Sequence, residues 1–483
     1  MSISTSVKGI QDIMRKDAGV DGDAQRIGQL AWMLFLKIYD DREKEREEID
    51  PDFKSIIPEK LRWRNWAANS EGITGEELLK FINNELFPEL KELEFDGAEE
   101  PMGYIIRDVF QDAFNYMKNG TLIRQVINTI QKNIDFNRKA DRHVFNDIYE
   151  KLLKDLQSAG NAGEFYTPRG VTQFMTDMVD PKLGEKILDP ACGTGGFLVC
   201  SIENIRGKYV NSVEDERLLQ KSINGVEVKQ LPHVLAVTNM LLHGIDIPSQ
   251  IKHDDALSRP LRDYEQKDRV DVVLTNPPFG GSMVDGTEMN FPADLRTKET
   301  ADLFMIFIMH ILKDGARAGV VLPDTILFKE DGVKQRIKEK LLTECNLHTI
   351  VRLPNSVFQP YASIATNLLF FTKGKKTKEV WFYEHPLPEG YKAYSKTKTI
   401  QIEEFEPEKE WWNNRKETRY AWKVTIDEIK AKNWSLEFEN PNKPKEVIRD
   451  PMEVLEEYNE KKKTLKETKD KLKAELQKSI GGK

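Results

Sequence analysis

Two short segments bring together residue types suited to chemistry. The first reads Lys186-Ile-Leu-Asp189-Pro-Ala191-Cys-Gly193-Thr194-Gly195-Gly196-Phe197. An apolar run ending in an acid, then a glycine-rich turn, then a helix opening near Phe197 is the grammar of the first turn of a Rossmann-like sheet. Glycines there let the backbone approach a ligand closely. The turn lacks the Lys-Ser/Thr of a phosphate-binding loop, which disfavours nucleotide hydrolysis, although a purely structural turn would look the same. The second segment is Val270-Asp-Val-Val-Leu-Thr-Asn276-Pro277-Pro278-Phe279, with Asn276 lying 276 − 189 = 87 residues after Asp189. A buried strand runs straight into two prolines, which restrict the corner and fix the Asn side chain and its neighbouring carbonyls at the carboxyl end of the strand. Open α/β sheets bind their ligands at that edge. A bare structural turn is the alternative, weakened by the glycine turn upstream.

Such a corner must be held by a sheet. Lys186–Leu188, Ser222–Val228, Val270–Leu274, Gly319–Leu322, Thr349–Leu353 and Leu368–Thr372 read as strands separated by helical segments, which predicts a mostly parallel sheet covered on both faces from about Asn161 to Asp427. Ahead of it the periodicity is helical. Leu30, Met33, Leu34 and Ile38 precede the charge run DDREKEREEID; Leu122, Val126, Ile130 and Ile134 recur at steps of four; and Val144, Phe145, Ile148, Tyr149, Leu152, Leu153 and Leu156 form another stripe. A Ser-Ala-Gly-Asn-Ala-Gly joint follows Gln157. At the far end, Pro444 to Lys483 is rich in Lys and Glu and carries Tyr458, Leu465 and Leu472 at seven-residue steps, followed by Leu476 and Ile480. That pattern suits a helix packing on another helix, or a solvated terminal helix docked on its own chain. The expected fold is an α/β Rossmann-like domain over residues 158–430, an all-helical domain over 1–157 and a helical tail over 431–483.

Composition narrows the function classes. The chain has 483 residues, 39% hydrophobic and 31% charged, with 23 Phe and 8 Trp, enough for packed cores in more than one domain. The apolar stretch Leu303–Leu312 falls short of the ~20 residues a membrane span needs, and the N-terminus has no apolar signal core, so a cytoplasmic location is expected. Three cysteines without a C-x-x-C pair and seven scattered histidines support neither a disulfide framework nor a zinc motif, and the active site is expected to need no metal. The net charge is 72 − 80 = −8, the wrong sign for gripping nucleic-acid phosphates unaided. Between Lys373 and Lys398 seven lysines interleave with Trp381, Phe382, Tyr383, Tyr391 and Tyr394. That stretch reads either as a nucleic-acid surface or as solvated lysines around a hairpin.

DPACGTGGF followed by NPPF closely resembles the amino-methyltransferases that act on adenine. With Gly163-Glu164-Phe165-Tyr166-Thr167-Pro168 upstream and a helical domain ahead, the resemblance sharpens to the modification subunit of type I restriction-modification systems, over about Met1 to Phe370. It implies an S-adenosylmethionine-dependent enzyme that methylates the exocyclic amine of a flipped-out adenine in double-stranded DNA. The implied partners are a specificity subunit, a second copy of the modification subunit and a restriction subunit. By resemblance, Asp189, Ala191, Gly193, Thr194, Gly195 and Gly196 surround the amino-acid end of the cofactor, and Glu164, Phe165, Tyr166, Thr167 and Pro168 complete its pocket. Glu227 is placed at the ribose, and Asp255 at the cofactor adenine with Asp254 as a rival, because the family more often has Gly at position 254. Asp302 and Leu303 are candidates for the pocket floor or for plain helix N-terminal roles.

The catalytic residues implied are Asn276, Pro277, Pro278 and Phe279. The lone pair of the adenine amine is delocalised into the ring. Hydrogen bonds from the amine to the Asn276 side-chain oxygen and the Pro277 carbonyl would favour its pyramidal, nucleophilic form. Phe279 offers a face on which the base could stack. Gly280 to Thr287 reads as a flap or as an ordinary surface loop. Two alternatives stay open: methylation of protein glutamine or RNA amines, which uses a similar corner, and a non-catalytic subunit that has kept the fold.

Overall fold

The computed structural model describes residues 3–95, 100–133, 167–280, 283–328, 332–358, 365–395, 398–443 and 451–480. The helical stripe Val144–Leu156 and the joint at 158–163 lie outside the described residues, as does the expected boundary between 157 and 158.

Residues Met1–Asn440 form one compact unit and Pro441–Lys483 a second. Among the described residues nine strands make a single mixed sheet: β1 Ile187–Asp189, β2 Ile223–Glu227, β3 Ile251–His253, β4 Val270–Thr275, β5 Leu312–Pro323, β6 Cys345–Leu353, β7 Thr366–Lys373, β8 Glu379–Glu384 and β9 Ala421–Thr425. Their order is β3-β2-β1-β4-β5-β7-β6-β8-β9. Pairing is parallel from β3 through β5. β7 is antiparallel to both neighbours, β8 is parallel to β6, and β9 is antiparallel to β8. The six strands foreseen all form, and the predicted Gly319–Leu322 is the end of a far longer β5. Val272, Val273 and Leu274 have no polar face to offer solvent and are fully buried, the condition of a strand covered on both sides. From β1 the chain winds outward through β2 and β3, then returns to lay β4 on the other side of β1. That reversal opens a crevice at the carboxyl ends of β1 and β4, the switch point where ligands of such sheets bind.

The described N-terminal elements are all helical, and their centre is the helix Gly22–Ile49. The charge run at its end continues the helix instead of closing it, with Asp40, Asp41 and Glu43 almost fully buried. Each has a partner: Arg64 Nε lies 2.7 Å from Asp40, Lys37 pairs with Asp41, and the Ser55 hydroxyl donates to Glu43. Buried carboxylates are tolerable only with such partners. This helix packs on the sheet-covering helix Gln230–Leu242. Across the seam, Arg42 donates to the carbonyl of Leu241 at 2.9 Å and Gln230 to that of Asp108 at 2.7 Å.

The helix Thr300–Ile311 is buried at almost every position, which accounts for the apolar stretch seen in the sequence. Among the described residues no helix is long and apolar enough to cross a membrane. The lysine and aromatic stretch after Lys373 turns its rings inward. Phe382, Tyr383 and Tyr394 are buried, Trp381 packs on Trp411, and only Tyr391 is exposed, under Lys398. Those buried rings offer no stacking platform for bases. The tail is a helix over Pro451–Ile480, with Tyr458, Leu465 and Leu472 exposed within their own unit.

Candidate active site

At the crevice, β1 ends in Asp189, 1% exposed. Its Oδ1 accepts from the backbone N–H of Ala191 at 3.1 Å and from the hydroxyl of Thr275, the last residue of β4, at 2.6 Å. Thr275 thus ties the two halves of the crevice together. Burial pushes the Asp189 carboxyl up to about 7, with the nearby charge of Glu227 adding to the rise and the two hydrogen bonds opposing it. Burial likewise lifts the Cys192 thiol well above its ordinary range, so it is no nucleophile.

The glycine turn follows. Gly193 and Gly195 have φ of 55° and 85°, left-handed values that explain why glycine stands at both. Thr194 lies between them, and Gly196 opens the helix Gly196–Tyr209. A Cβ on Gly193 would meet none of the described residues within 4 Å, whereas one on Gly195 would press on the Met240 methyl at 3.1 Å. The first therefore faces open space and the second a packed helix. Glu227, at the end of β2, accepts the N–H of Gly193 at 2.9 Å on one oxygen and that of Lys229 at 2.8 Å on the other. It therefore positions the turn as well as facing the edge. Asn239 supports the turn from behind, its side-chain amide donating to the Thr194 carbonyl at 3.0 Å. Neither Thr275 nor Asn239 was foreseen, because their tasks depend on partners 86 and 45 residues away.

After β3, the N–H of Asp254 donates to the Glu227 carbonyl at 3.1 Å and its side chain is exposed. Asp255 uses one carboxylate oxygen to accept from Leu257 N–H at 2.9 Å in a turn of its own. Asp302 and Leu303 stand elsewhere: Asp302 makes a buried ion pair with Lys334 at 2.6 Å, and Leu303 is core. Asp302 stands in the first turn of the helix Thr300–Ile311, as the helix N-terminal role considered for it requires.

At the end of β4, Asn276 is half-buried and its side-chain nitrogen donates to the Thr167 hydroxyl at 3.0 Å. Its side-chain oxygen is buried and has no hydrogen-bond partner among the described residues. Pro277 is buried, Pro278 half-buried, and the Phe279 ring meets Phe358 edge-on at 6.2 Å and 74°. Phe358 follows β6 and had no motif to announce it. Thr167 and Pro168, the latter capping the helix Arg169–Val179, bring the upstream motif to this corner. Glu164, Phe165 and Tyr166 lie outside the described residues.

Two family models cover nearly all of the chain: the N-6 DNA Methylase model matches residues 140–450 and the HsdM N-terminal domain model residues 3–130. The type I restriction enzyme EcoEI methylase subunit of Escherichia coli is 56% identical over 100% of this chain and 99% of its own length. The crystal structure of a protein from Vibrio vulnificus YJ016, assigned as the modification subunit of a type I restriction enzyme, is 43% identical. It superposes with a TM-score of 0.82 over 93% of this chain and 98% of that one. A chain from a structural study of complex assembly in a type I restriction-modification system is 35% identical, with a TM-score of 0.81 over 100% and 99%. The alternatives of a protein or RNA methyltransferase therefore fall away. The chain belongs to the N-6 DNA methylase family, as an adenine-N6 DNA methyltransferase of the type I restriction-modification methylase subunits.

Proposed function

We propose that the crevice between β1 and β4 binds S-adenosylmethionine beside a flipped-out adenine, and that this chain supplies the chemistry while another polypeptide supplies sequence selectivity. The observation that carries the catalytic part is the Asn276 amide. Its nitrogen is held by Thr167 and its buried oxygen has no partner among the described residues. A buried acceptor of that kind costs about 1–3 kcal/mol unless a ligand donor meets it. The adenine amine, with two N–H groups, is such a donor.

The residues at the turn fit the cofactor. Open space over Gly193, an acid at the end of β1 and another at the end of β2 suit a ligand with a cationic amino-acid end and a ribose. When bound, S-adenosylmethionine supplies a methyl group on a sulfonium, a strong electrophile needing no metal. Asn276 Oδ1 and the Pro277 carbonyl accept hydrogen bonds from the adenine amine and hold its lone pair out of the ring's conjugation. Both acceptors are fixed in advance by the prolines, so their stabilisation grows as positive charge develops on the nitrogen. Phe279, braced edge-on by Phe358, gives the extruded base a face to stack on. In this reading Glu227 accepts from the ribose, and Asp254 or Asp255 borders the cofactor adenine.

Substituting Gly193 by Val tests the turn. A β-branched side chain at φ 55° is strained by about 1–3 kcal/mol and fills the open space above the turn. The variant is expected to stay folded, since no described residue lies in the way, and to lose cofactor binding in calorimetry. Retained affinity would move the cofactor away from the turn.

A net charge of −8 offers little general attraction to phosphate, and the aromatic stretch after Lys373 is turned inward. Base readout is accordingly assigned to a separate specificity subunit. The exposed stripe of the Pro451–Ile480 helix is assigned to docking on it, the helical N-terminal region to embracing DNA with a second copy of this chain, and a restriction subunit to cleavage. Binding of cognate and scrambled duplexes at near-physiological salt is expected to be weak and unselective for the purified chain, and selective once the specificity subunit is added. Tight, sequence-selective binding by the chain alone would overturn that division of labour.

A further inference from the structure

Away from the crevice, three side chains from three elements converge where the helical region meets the sheet. Asp108 lies on the helix Pro101–Gln111, His233 on Gln230–Leu242 and His253 at the end of β3. His233 Nδ1 stands 3.2 Å from Asp108 Oδ2, and His253 Nδ1 3.3 Å from Asp108 Oδ1. The two rings stack at 5.2 Å and 18°. His233 is 1% exposed, and its Nδ1 has no hydrogen-bond partner among the described residues despite the nearby carboxylate.

The other ring nitrogens fix the neutral tautomers. His233 Nε2 faces the Ile251 carbonyl at 3.1 Å, and His253 Nε2 faces the Val228 carbonyl, also at 3.1 Å. A carbonyl only accepts, so both Nε2 atoms are donors. In the neutral imidazole that leaves each Nδ1 with a bare lone pair. His233 thus turns a bare lone pair toward the carboxylate, while His253 Nδ1, within hydrogen-bonding distance of Asp108 Oδ1, meets the same carboxylate through a proton or through a cation shared by all three groups.

We propose that Asp108, His233 and His253 bind one divalent transition-metal ion of the zinc class, which clamps the helical region to the methyltransferase sheet. Imidazole and carboxylate suit such a borderline ion. Zinc bonds of ~2.0–2.2 Å at tetrahedral angles place neighbouring ligand atoms ~3.4 Å apart. The Nδ1–carboxylate separations are 3.2 Å to one oxygen of Asp108 and 3.3 Å to the other, and the ligand atoms all lie within 4.8 Å of one another, close enough for one ion to draw them together. The backbone carbonyls behind both Nε2 atoms are the outer partners that orient metal-bound histidines. His233 closes the buried side, while His253 and Asp108 are 21% and 36% exposed, which leaves the fourth position to water. The ion is structural: His253 pairs in register with Glu227, so the clamp steadies the edge where β2 and β3 end without reaching the reacting atoms.

The test uses the full chain with any affinity tag removed, stripped with chelator and then titrated with Zn²⁺ alone. One zinc per chain is expected, with a melting temperature that rises on zinc addition and falls with chelator. Replacing zinc by Co²⁺ should give the visible absorption of a four-coordinate site with nitrogen ligands, a readout that requires no variant. Asp108→Asn and His253→Gln, both at the exposed side, should each weaken zinc binding by ~100-fold or more and abolish the thermal shift. Absence of stoichiometric zinc and of any thermal shift in the unaltered chain would overturn the proposal and leave an imidazolium–carboxylate cluster in its place. Zinc uptake undiminished in both variants would overturn it equally, since the ion would then lie elsewhere.

Discussion

Asn276→Ala is expected to lower the methylation rate by about 100-fold or more while leaving cofactor affinity within about twofold. The change removes the buried oxygen that has no partner among the described residues, together with the amide donor to Thr167. It touches none of the contacts that shape the glycine turn, which run instead from Asp189, Glu227 and Asn239. Loss of one preorganised polar group aimed at developing charge typically costs about 10²–10³ in rate. Folding should suffer little, because the bond to Thr167 is a single, partly buried hydrogen bond worth about 1 kcal/mol. Phe279→Ala should also retain the cofactor but weaken capture of the base, by about 1–3 kcal/mol in the binding of a duplex with a mismatched target adenine. Single-turnover methylation of a cognate duplex in the assembled complex, with calorimetry of cofactor binding alongside, separates the two effects. A parallel loss of cofactor affinity in Asn276→Ala would show that the catalytic corner has been placed wrongly.

Cofactor affinity is expected to rise with pH up to neutrality, falling about tenfold for each pH unit below about 7. Burial holds the Asp189 carboxyl near 7 in the ligand-free chain, so a proton occupies it at lower pH. A cationic ligand end beside it favours the ionised form, and binding below pH 7 must then release that proton. The sign for stability runs the other way. A carboxyl raised from its ordinary 3.8 to about 7 contributes stability that is complete below about pH 4 and lost as pH rises through 7. For a fully buried group this amounts to about 4 kcal/mol. Asp189→Asn can still accept from Ala191 and Thr275 but carries no charge. It should raise the melting temperature of the ligand-free chain at pH 8 relative to the parent while abolishing measurable cofactor binding. Calorimetry in two buffers of different ionisation enthalpy reports the released proton directly. A flat affinity from pH 5.5 to 7.5 in the parent chain would remove Asp189 from contact with the cationic end.

Much of this protein is written locally. The glycine turn, the Asn-Pro-Pro-Phe corner and the strands that deliver them are legible in the sequence because each is a run of consecutive residues whose conformation is fixed by its own chemistry. Glycines at 193 and 195 are required by positive φ, the prolines stiffen the corner, and the apolar run of β4 is buried on both faces. The helical N-terminal region is legible for the same reason, through its 3.6-residue periodicity.

Other features depend on residues far apart in the chain, and no local signal could reveal them. β3 has only three residues, too few for a pattern, yet it delivers His253 and the turn bearing Asp254 and Asp255. β8 was hidden because its aromatic residues, set among lysines, read as well as a surface, and only packing against Trp411 and the rest of the core shows which way they face. The acids at 40 and 43 look like a solvated helix end until Arg64 and Ser55, from beyond the helix, are folded against them. Asp302 has the position of a pocket residue until Lys334 arrives from another helix to neutralise it. The union of Asp108 with His233 and His253 is likewise a product of docking the helical region on the sheet. The sequence determined which residue types stand in order at the glycine turn and at the Asn-Pro-Pro-Phe corner. Only the tertiary structure decided which charges are buried and with whom, because the energy of a buried charge is set by its partners in space rather than by its neighbours in the chain.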